Sequence, residues 1–186
     1  MFDRWSELGL KHYQELGLDA RALSLKTRED ASRPEVVAGL EEASMFFFSG
    51  GNPLYLARAL DGTPALDTIT RAIGNGAVFA GCSAGAMVAG ARVAGGFGPA
   101  FRHVGLGLLP NVRFGVHWNR MPGFVPGLKE FMISGGGRGD HFIGIDESTA
   151  IVGDGSRWRV FGLGGVDVRG ASKRSRYRAG DEFELT

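Results

Sequence analysis

The sequence is poor in cysteine, in net charge and in long apolar runs, and each shortage argues against a class of protein. One cysteine in 186 residues excludes an internal disulfide framework and a zinc site built from cysteines. A net charge of +1 gives the whole molecule no particular attraction to nucleic acid or to a membrane surface. No apolar run approaches the roughly 20 residues of a membrane span. We therefore expect neither a nucleic-acid partner nor a membrane partner.

The composition also bounds the architecture. With 44% hydrophobic residues, the chain can bury the core of a single domain, which we expect to span residues 1–186. Residues 2–17 are charged and amphipathic, so we expect no secretory signal. Together with the single cysteine, this favours the reducing cytoplasm as the location. The oligomeric state is left open by the sequence, and a homodimer is one alternative.

Short apolar segments alternate with helical patterns in the first part of the chain, which indicates an α/β protein with a parallel sheet covered on both faces. The strands predicted there, the last two of them as buried strands, are 22–25, 45–48 and 77–81. The predicted helices are 2–17, 34–43 with Ser32 as a cap-like residue, 53–60, 65–76 and a stretch after Ser83.

The pattern changes beyond Pro110, where short strands with hairpins are predicted. These strands are 111–117, 142–146, 149–153, 157–162 and 165–170, with one helix at 126–134. The tail, residues 172–185, is basic and then acidic, which is typical of a solvated edge strand. A nucleic-acid patch is the alternative interpretation of that tail.

The stretch GCSAG, residues 81–85, has the G-x-S-x-G pattern with Ser83 at its centre, between a predicted strand and a predicted helix. This context is typical of a nucleophile elbow, in which a strained backbone exposes the nucleophile beside the N–H groups of a helix start. A helix N-cap explains Ser83 equally well on this stretch alone. We expect Cys82 to end the strand as a small buried apolar residue.

A nucleophilic serine needs a base and an orienting acid. His117 is the best-placed base, because it closes a predicted strand, although a structural histidine is the alternative. The candidate acids are Asp146 and Glu147, which follow another predicted strand, although hairpin turns also use such residues. The remaining histidines, in a predicted surface helix and in glycine-rich loops, are His12, His103 and His141.

A second glycine turn, SGGN at residues 49–52, follows the predicted strand 45–48. Gly50 and Gly51 allow backbone N–H groups to face a ligand. Asn52 is placed to cap the next helix. Because a cap and an oxyanion donor can coexist in one turn, both interpretations stand.

Taken together, four segments resemble the aspartyl dipeptidase and cyanophycinase family of serine peptidases in order and spacing. The segments are FFFSGGNPLYLARAL, GAVFAGCSAGAMVAG, GLGLLPNVRFGVHWNR and IGIDESTAIV. The resemblance runs from about Phe2 to Val168, and four ordered motifs are much more specific than G-x-S-x-G alone. It implies a fold like that of the class I glutamine amidotransferases, a flavodoxin-like three-layer α/β sandwich with a mostly parallel sheet.

The resemblance also implies catalytic roles for individual residues. The family's nucleophile matches Ser83 in "SAGA", its base matches His117 in "HWNR", and its acid matches Glu147 in "GIDE", with Asp146 as the fallback. The family's oxyanion donors match three backbone N–H groups, those of Gly50, Gly51 and Ala84.

The implied substrates are small peptides, aspartyl dipeptides or related amide-linked amino acids, and no metal or organic cofactor is implied. An aspartyl carboxylate calls for a cation in the pocket, for which Arg120 is the first candidate. Arg102 and Arg113 are weaker candidates, and a surface charge is the alternative for each arginine. We expect Asn52 to contact the substrate as well.

The chain departs from the family pattern at two places. Asn119 stands where the family usually has an aspartate. The family also begins with a strand and a glycine-rich turn that this chain lacks, so we expect an N-terminally truncated domain whose sheet is without its first strand. One rival interpretation is a catalytically inactive ligand-binding or interaction protein. Another is a cysteine-dependent amidotransferase subunit, which requires Cys82 to be reactive.

Overall fold

The computed structural model of the chain describes residues 2–93, 105–121, 126–134, 139–170 and 174–185. The chain divides into two compact units. The first unit comprises Met1–Ser49 and Arg58–Ala80, and the second comprises Gly50–Ala57 and Gly81–Thr186. Within the described ranges, no helix is long and apolar enough to span a membrane.

The first unit combines helices with a two-stranded sheet. Its elements are α1 (Phe2–Glu15), α2 (Pro34–Glu41), β1 (Met45–Phe48), α4 (Pro64–Gly74) and β2 (Val78–Gly81), while α3 (Pro53–Leu60) and β2 each have residues in both units. Strands β1 and β2 are hydrogen-bonded neighbours, and the stacked rings of Phe48 and Phe79 lie 5.3 Å apart. Helix α4 begins where it does because the Thr63 side chain accepts the N–H of Leu66 and Pro64 supplies the first turn.

Three predictions for the first unit were wrong. Residues 22–25 form no strand: within the segment the Leu25 N–H donates to the Leu23 carbonyl oxygen at 2.8 Å, and directly after it the N–H groups of Lys26 and Thr27 donate to the Asp30 carboxylate. These two bonds lower the pKa of Asp30. Ser32 ends a short 3₁₀ turn, and Arg33 is the residue before α2. Strands β1 and β2 are only partly buried, since Phe47 is 43% exposed and Val78 is 54% exposed.

The second unit contains most of the strands. Its elements are α5 (Ala84–Val88), β3 (Val112–Gly115), α6 (Leu128–Ser134), β4 (His141–Ile145), β5 (Thr149–Gly153), β6 (Arg157–Gly162), β7 (Gly165–Arg169), β8 (Arg174–Arg178) and β9 (Glu182–Glu184). One sheet has the order β3-β4-β7-β8, in which β3 and β4 are parallel and the other neighbours antiparallel. The other sheet, β5-β6-β9, is antiparallel.

The hairpins predicted beyond Pro110 are confirmed, but the tail differs from its prediction. It forms two strands instead of one, with β8 at the edge of the four-stranded sheet and β9 at the edge of the three-stranded sheet. The division occurs at a turn in which Gly180 has φ 92° and the Asp181 carboxylate accepts the N–H of Arg178. A positive φ favours glycine, so the turn lies where the sequence provides one.

Candidate active site

Ser83 occupies a sharp turn between a strand and a helix. Strand β2 ends at Gly81, helix α5 begins at Ala84, and Ser83 between them has φ 50° and ψ −116°. A non-glycine residue with positive φ is strained, and such strain is typical of a nucleophile elbow. Within the described residues, the Ser83 side chain caps no N–H group of α5. The geometry therefore favours the elbow over the capping interpretation.

Small residues allow this turn to be tight. A Cβ added at Gly81 would lie 2.5 Å from the carbonyl carbon of Gly85, closer than real Cβ contacts. A Cβ added at Gly50 would lie 3.3 Å from the Ser83 Cβ and 3.6 Å from its Oγ. The Gly50 backbone is thus beside the serine oxygen.

His117 lies within hydrogen-bond distance of the serine. Its Nε2 is 3.0 Å from the Ser83 Oγ, and its Nδ1 is 3.0 Å from Oε1 of Glu147. In a neutral imidazole one ring nitrogen donates and the other accepts, so the tautomer in which Nδ1 donates to Glu147 leaves Nε2 to accept the serine proton. This tautomer is the one that general-base catalysis by a triad requires.

The backbone around His117 differs from the predicted strand 111–117. Strand β3 already ends at Gly115, and His117 follows in a left-handed conformation with φ 52° and ψ 36°. It precedes a 3₁₀ turn over Trp118–Arg120. The left-handed residue is where the chain turns from the strand into this helical turn.

Glu147, between β4 and β5, is held from two further directions. Its backbone N–H donates to Oδ1 of Asn119 at 3.0 Å, and its Oε2 lies 3.7 Å from Nε of Arg120. The fallback acid Asp146 lies elsewhere: it is only 5% exposed, and it accepts the N–H of Gly165 at 3.0 Å. The structure brings Glu147, and not Asp146, to the histidine.

The second glycine turn supplies backbone close to the elbow. Gly51 has φ 139°, a conformation that a side chain would strain. The side-chain oxygen of Asn52 accepts the N–H groups of Leu54 and Tyr55 at 3.0 and 3.1 Å, so Asn52 caps α3. Ala84 is the first residue of α5, and the first N–H groups of a helix have no partner within the helix.

Comparison with known proteins decides the family. Residues 2–161 match the family model described as peptidase family S51. The chain belongs to peptidase family S51. The resemblance predicted from the four ordered motifs is therefore confirmed.

The curated relatives that the chain matches include cyanophycinases. The chain is 31% identical to those of Nostoc sp. and Trichormus variabilis over 173 residues, and 30% identical to that of Synechococcus elongatus over 171 residues. The matches cover 84–86% of this chain and 51–56% of the relatives. The chain thus spans about half the length of the curated relatives it matches.

Solved structures agree with this assignment. A peptidase from an acI-B1 Actinobacterium is 32% identical, with a TM-score of 0.88 over 98% of this chain and 76% of its own. A peptidase E candidate from Listeria monocytogenes EGD-e is 16% identical, with a TM-score of 0.55 over 94% of this chain and 77% of its own, and it shows the fold alone. These structural matches confirm the α/β fold of the flavodoxin-like kind that was predicted from the sequence.

Some predicted residues lie outside this cluster. Cys82 is exposed after the end of β2, so the prediction of a buried strand residue was wrong; the chain begins to turn directly after Gly81. His12 lies on α1 and His141 begins β4. His103 and Arg102 lie outside the described residues. Across the described part of the chain, no three histidine, cysteine, aspartate or glutamate side chains are grouped to hold a metal ion.

Arg113, a weaker candidate for substrate binding, is a buried structural residue of this S51 chain. It is 4% exposed and donates to the carbonyl oxygens of Met132 and Ile133 at 2.8 and 2.5 Å, near the end of α6. Burial lowers its pKa. The guanidinium therefore satisfies carbonyl groups that a helix end leaves without partners.

Replacing Arg113 by methionine is expected to lower the free energy of unfolding by about 1–3 kcal/mol, because the α6 carbonyls lose their donors. The Michaelis constant for an acidic peptide is expected to stay unchanged. Urea denaturation measures the first quantity and steady-state kinetics the second. Arg174→Met, at an exposed position of β8, is the matched control, with a change within about 0.5 kcal/mol. A rise in the Michaelis constant without loss of stability would restore the substrate-binding role.

Proposed function

We propose that this member of peptidase family S51 is a serine-type peptidase that hydrolyses small peptides. The observation that carries the proposal is the chain of contacts from Ser83 Oγ through His117 to Glu147, each 3.0 Å long. Nucleophile, base and acid in this order of contact are the components that acyl transfer to a serine needs. Family membership supports the same reaction class.

In the proposed mechanism, Ser83 Oγ attacks the scissile carbonyl carbon while its proton passes to Nε2 of His117. The carbonyl oxygen takes the negative charge of the tetrahedral intermediate. When the C–N bond breaks, the proton on Nε2 passes to the leaving amine and an acyl-serine ester remains. Water then attacks this ester with His117 as the base, releasing the acid and the free serine. Glu147 orients the imidazole and stabilises its protonated form.

The oxyanion is assigned to backbone N–H groups. Gly50 and Gly51 form a turn beside the serine oxygen, and Ala84 begins α5 directly after the nucleophile. Pre-oriented N–H groups stabilise charge that develops only in the transition state, so they lower the barrier more than they strengthen substrate binding. Asn52 holds this turn to α3 through its side-chain oxygen, which leaves its amide nitrogen for the substrate.

We further propose that the substrates are peptides that carry an aspartyl carboxylate. Arg120 is its proposed partner, because its side chain is 75% exposed and lies on the same 3₁₀ turn that begins after His117. The ion pair with Glu147, at 3.7 Å, is solvent-exposed and therefore weak. A substrate carboxylate can exchange for it at little cost.

Two substrates that differ only in charge test this assignment. Wild-type protein is expected to hydrolyse an Asp-Leu dipeptide faster than Asn-Leu, because the carboxylate pairs with Arg120. Arg120→Met is expected to lower kcat/KM for Asp-Leu by about 10- to 100-fold and to leave Asn-Leu nearly unchanged. Equal losses for both dipeptides would mean that Arg120 acts on Glu147 and not on substrate. No hydrolysis of either dipeptide, or of a wider set of short peptides, by folded wild-type protein would favour the inactive ligand-binding alternative.

A further inference from the structure

The histidine and the glutamate of the site are each adjacent in the sequence to a residue whose side chain is buried. His117 directly precedes Trp118, which is 1% exposed, and Glu147 directly follows Asp146, which is 5% exposed. In contrast, the His117 and Glu147 side chains are 54% and 42% exposed. The two exposed groups lie 3.0 Å apart, and each shares its backbone with a buried neighbour.

Trp118 is fixed in both position and orientation. Its indole N–H donates to Oδ2 of Asp167 on β7 at 2.7 Å. Its ring lies against the backbone of β3 and β4, where a Cβ at Gly115 or Gly144 would be 3.2 or 2.7 Å from ring atoms. The ring thus fills space that only glycines leave open.

Asp146 is held by the neighbouring strands. Its Oδ2 accepts the N–H of Gly165 at 3.0 Å and a hydrogen bond from Nη2 of Arg176 on β8. Its Oδ1 has no hydrogen-bond partner within the described residues. A carboxylate this deeply buried depends on the few partners it has.

Arg176 binds both Asp146 and Asp167. Its Nη1 donates to Oδ1 of Asp167 at 3.2 Å, while its Nη2 donates to Asp146. Asp167 and Arg176 are direct cross-strand partners, so the register of β7 and β8 sets this arrangement. One planar guanidinium therefore binds two carboxylates. Asp146 directly precedes Glu147, and Asp167 accepts the indole N–H of Trp118.

We propose that Arg176, through Asp146 and Asp167, is a positioning residue that holds His117 and Glu147 at hydrogen-bond distance. The inference rests on the proposed peptidase function. It extends the site beyond the residues that the S51 family model matches, since Asp167 and Arg176 both follow residue 161. It also accounts for how His117 keeps its left-handed backbone conformation, which surrounding structure must maintain.

Loss of the Arg176 guanidinium is expected to lower kcat, the rate of the chemical step. Arg176 is 44% exposed, but the Asp146 side chain that it pairs with is only 3% exposed, so removing the guanidinium also lowers stability, and the variants are compared at equal concentrations of folded protein. Removing the guanidinium leaves Asp146 with the Gly165 N–H as its remaining described partner, and the backbone that carries Glu147 is free to shift. Because catalysis is sensitive to displacements of about 1 Å, a small shift lowers kcat without altering substrate binding.

Steady-state kinetics on variants of the 186-residue chain test the proposal. Arg176→Met is expected to lower kcat by about 10- to 100-fold with KM unchanged. Arg176→Lys keeps the charge but not the two-pronged geometry, and we expect it to recover part of the loss. Arg178→Met, two residues along the same strand, is the matched control and should match wild type. Near-UV circular dichroism establishes whether each variant is folded. If Arg176→Met does not fold, the kcat of Arg176→Lys tests the positioning role instead.

A second readout needs no activity. The proton between Nδ1 of His117 and Glu147 is expected to give a downfield proton NMR resonance, assigned by its loss in His117→Gln. Arg176→Met should abolish or shift this resonance, and Arg178→Met should not. If wild type hydrolyses no peptide but shows this pattern, the peptidase proposal fails and the positioning role stands. A folded Arg176→Met with wild-type kcat and an unchanged resonance, a change in KM alone, or no resonance in wild type would overturn it.

Discussion

Ser83→Ala is expected to lower kcat/KM for small peptides by about 10⁴-fold or more, because the elbow then holds no nucleophile and only binding and oxyanion stabilisation remain. The structure provides a matched control in the adjacent residue. Cys82 is exposed and follows the end of the strand, whereas the His117 Nε2 lies 3.0 Å from the Ser83 oxygen. Cys82→Ala is therefore expected to keep wild-type activity.

Peptide hydrolysis by both purified variants, compared at equal concentrations of folded protein, makes this measurement. The opposite pattern, with Cys82→Ala inactive and Ser83→Ala active, would support the cysteine-dependent amidotransferase interpretation. Loss of activity in both would show that the turn tolerates no change. In that case Cys82→Ser, which alters the side chain least, would separate geometry from chemistry.

Gly81→Ala is expected to reduce kcat/KM by about 10²-fold or more and to destabilise the fold by about 1–3 kcal/mol. The added Cβ would lie 2.5 Å from the Gly85 carbonyl carbon and 2.6 Å from its oxygen, so the backbone of the elbow has to move. Since Ser83 already has an unfavourable φ of 50°, a displaced turn relaxes toward ordinary conformations and carries the nucleophile away from His117.

The control for that substitution is Gly9→Ala in α1. Apart from the adjacent residues and the backbone of α1 itself, no atom of the described residues lies within 4 Å of a Cβ added at Gly9, and alanine is the better helix former by about 1 kcal/mol. Gly9→Ala should therefore raise the melting temperature slightly and leave activity unchanged. Thermal unfolding and peptide hydrolysis together test both variants. A Gly81→Ala protein with wild-type kcat/KM would show that the close contact at the elbow is not required.

The local elements were largely predictable from the sequence. The strands at 45–48, 149–153 and 157–162 were predicted with the bounds that the structure shows, because apolar runs between turn residues mark strands clearly. The segment 22–25 has the same apolar character but forms no strand. There the Asp30 carboxylate takes the N–H groups of the two residues that follow, and this competition is not visible in apolar periodicity.

The site was predictable only in part. The motif around Ser83 identified the turn, but the choice between Asp146 and Glu147 depended on the resemblance. Successive side chains at the end of a strand point in opposite directions. Which of Asp146 and Glu147 faces His117 therefore depends on how β4 is oriented in the sheet. Asp167 and Arg176 gave no signal at all, because their contact depends on the pairing register of two strands, which the sequence does not specify.

The central claim is that His117 activates Ser83, and covalent labelling tests it most directly. A serine-directed fluorophosphonate, followed by intact mass and fragment mapping, is expected to give one adduct on Ser83 of the folded protein. The adduct should be absent from heat-denatured protein and from His117→Ala, because both lose the 3.0 Å contact between base and nucleophile. No adduct on folded wild-type protein, or equal labelling of His117→Ala, would contradict the account.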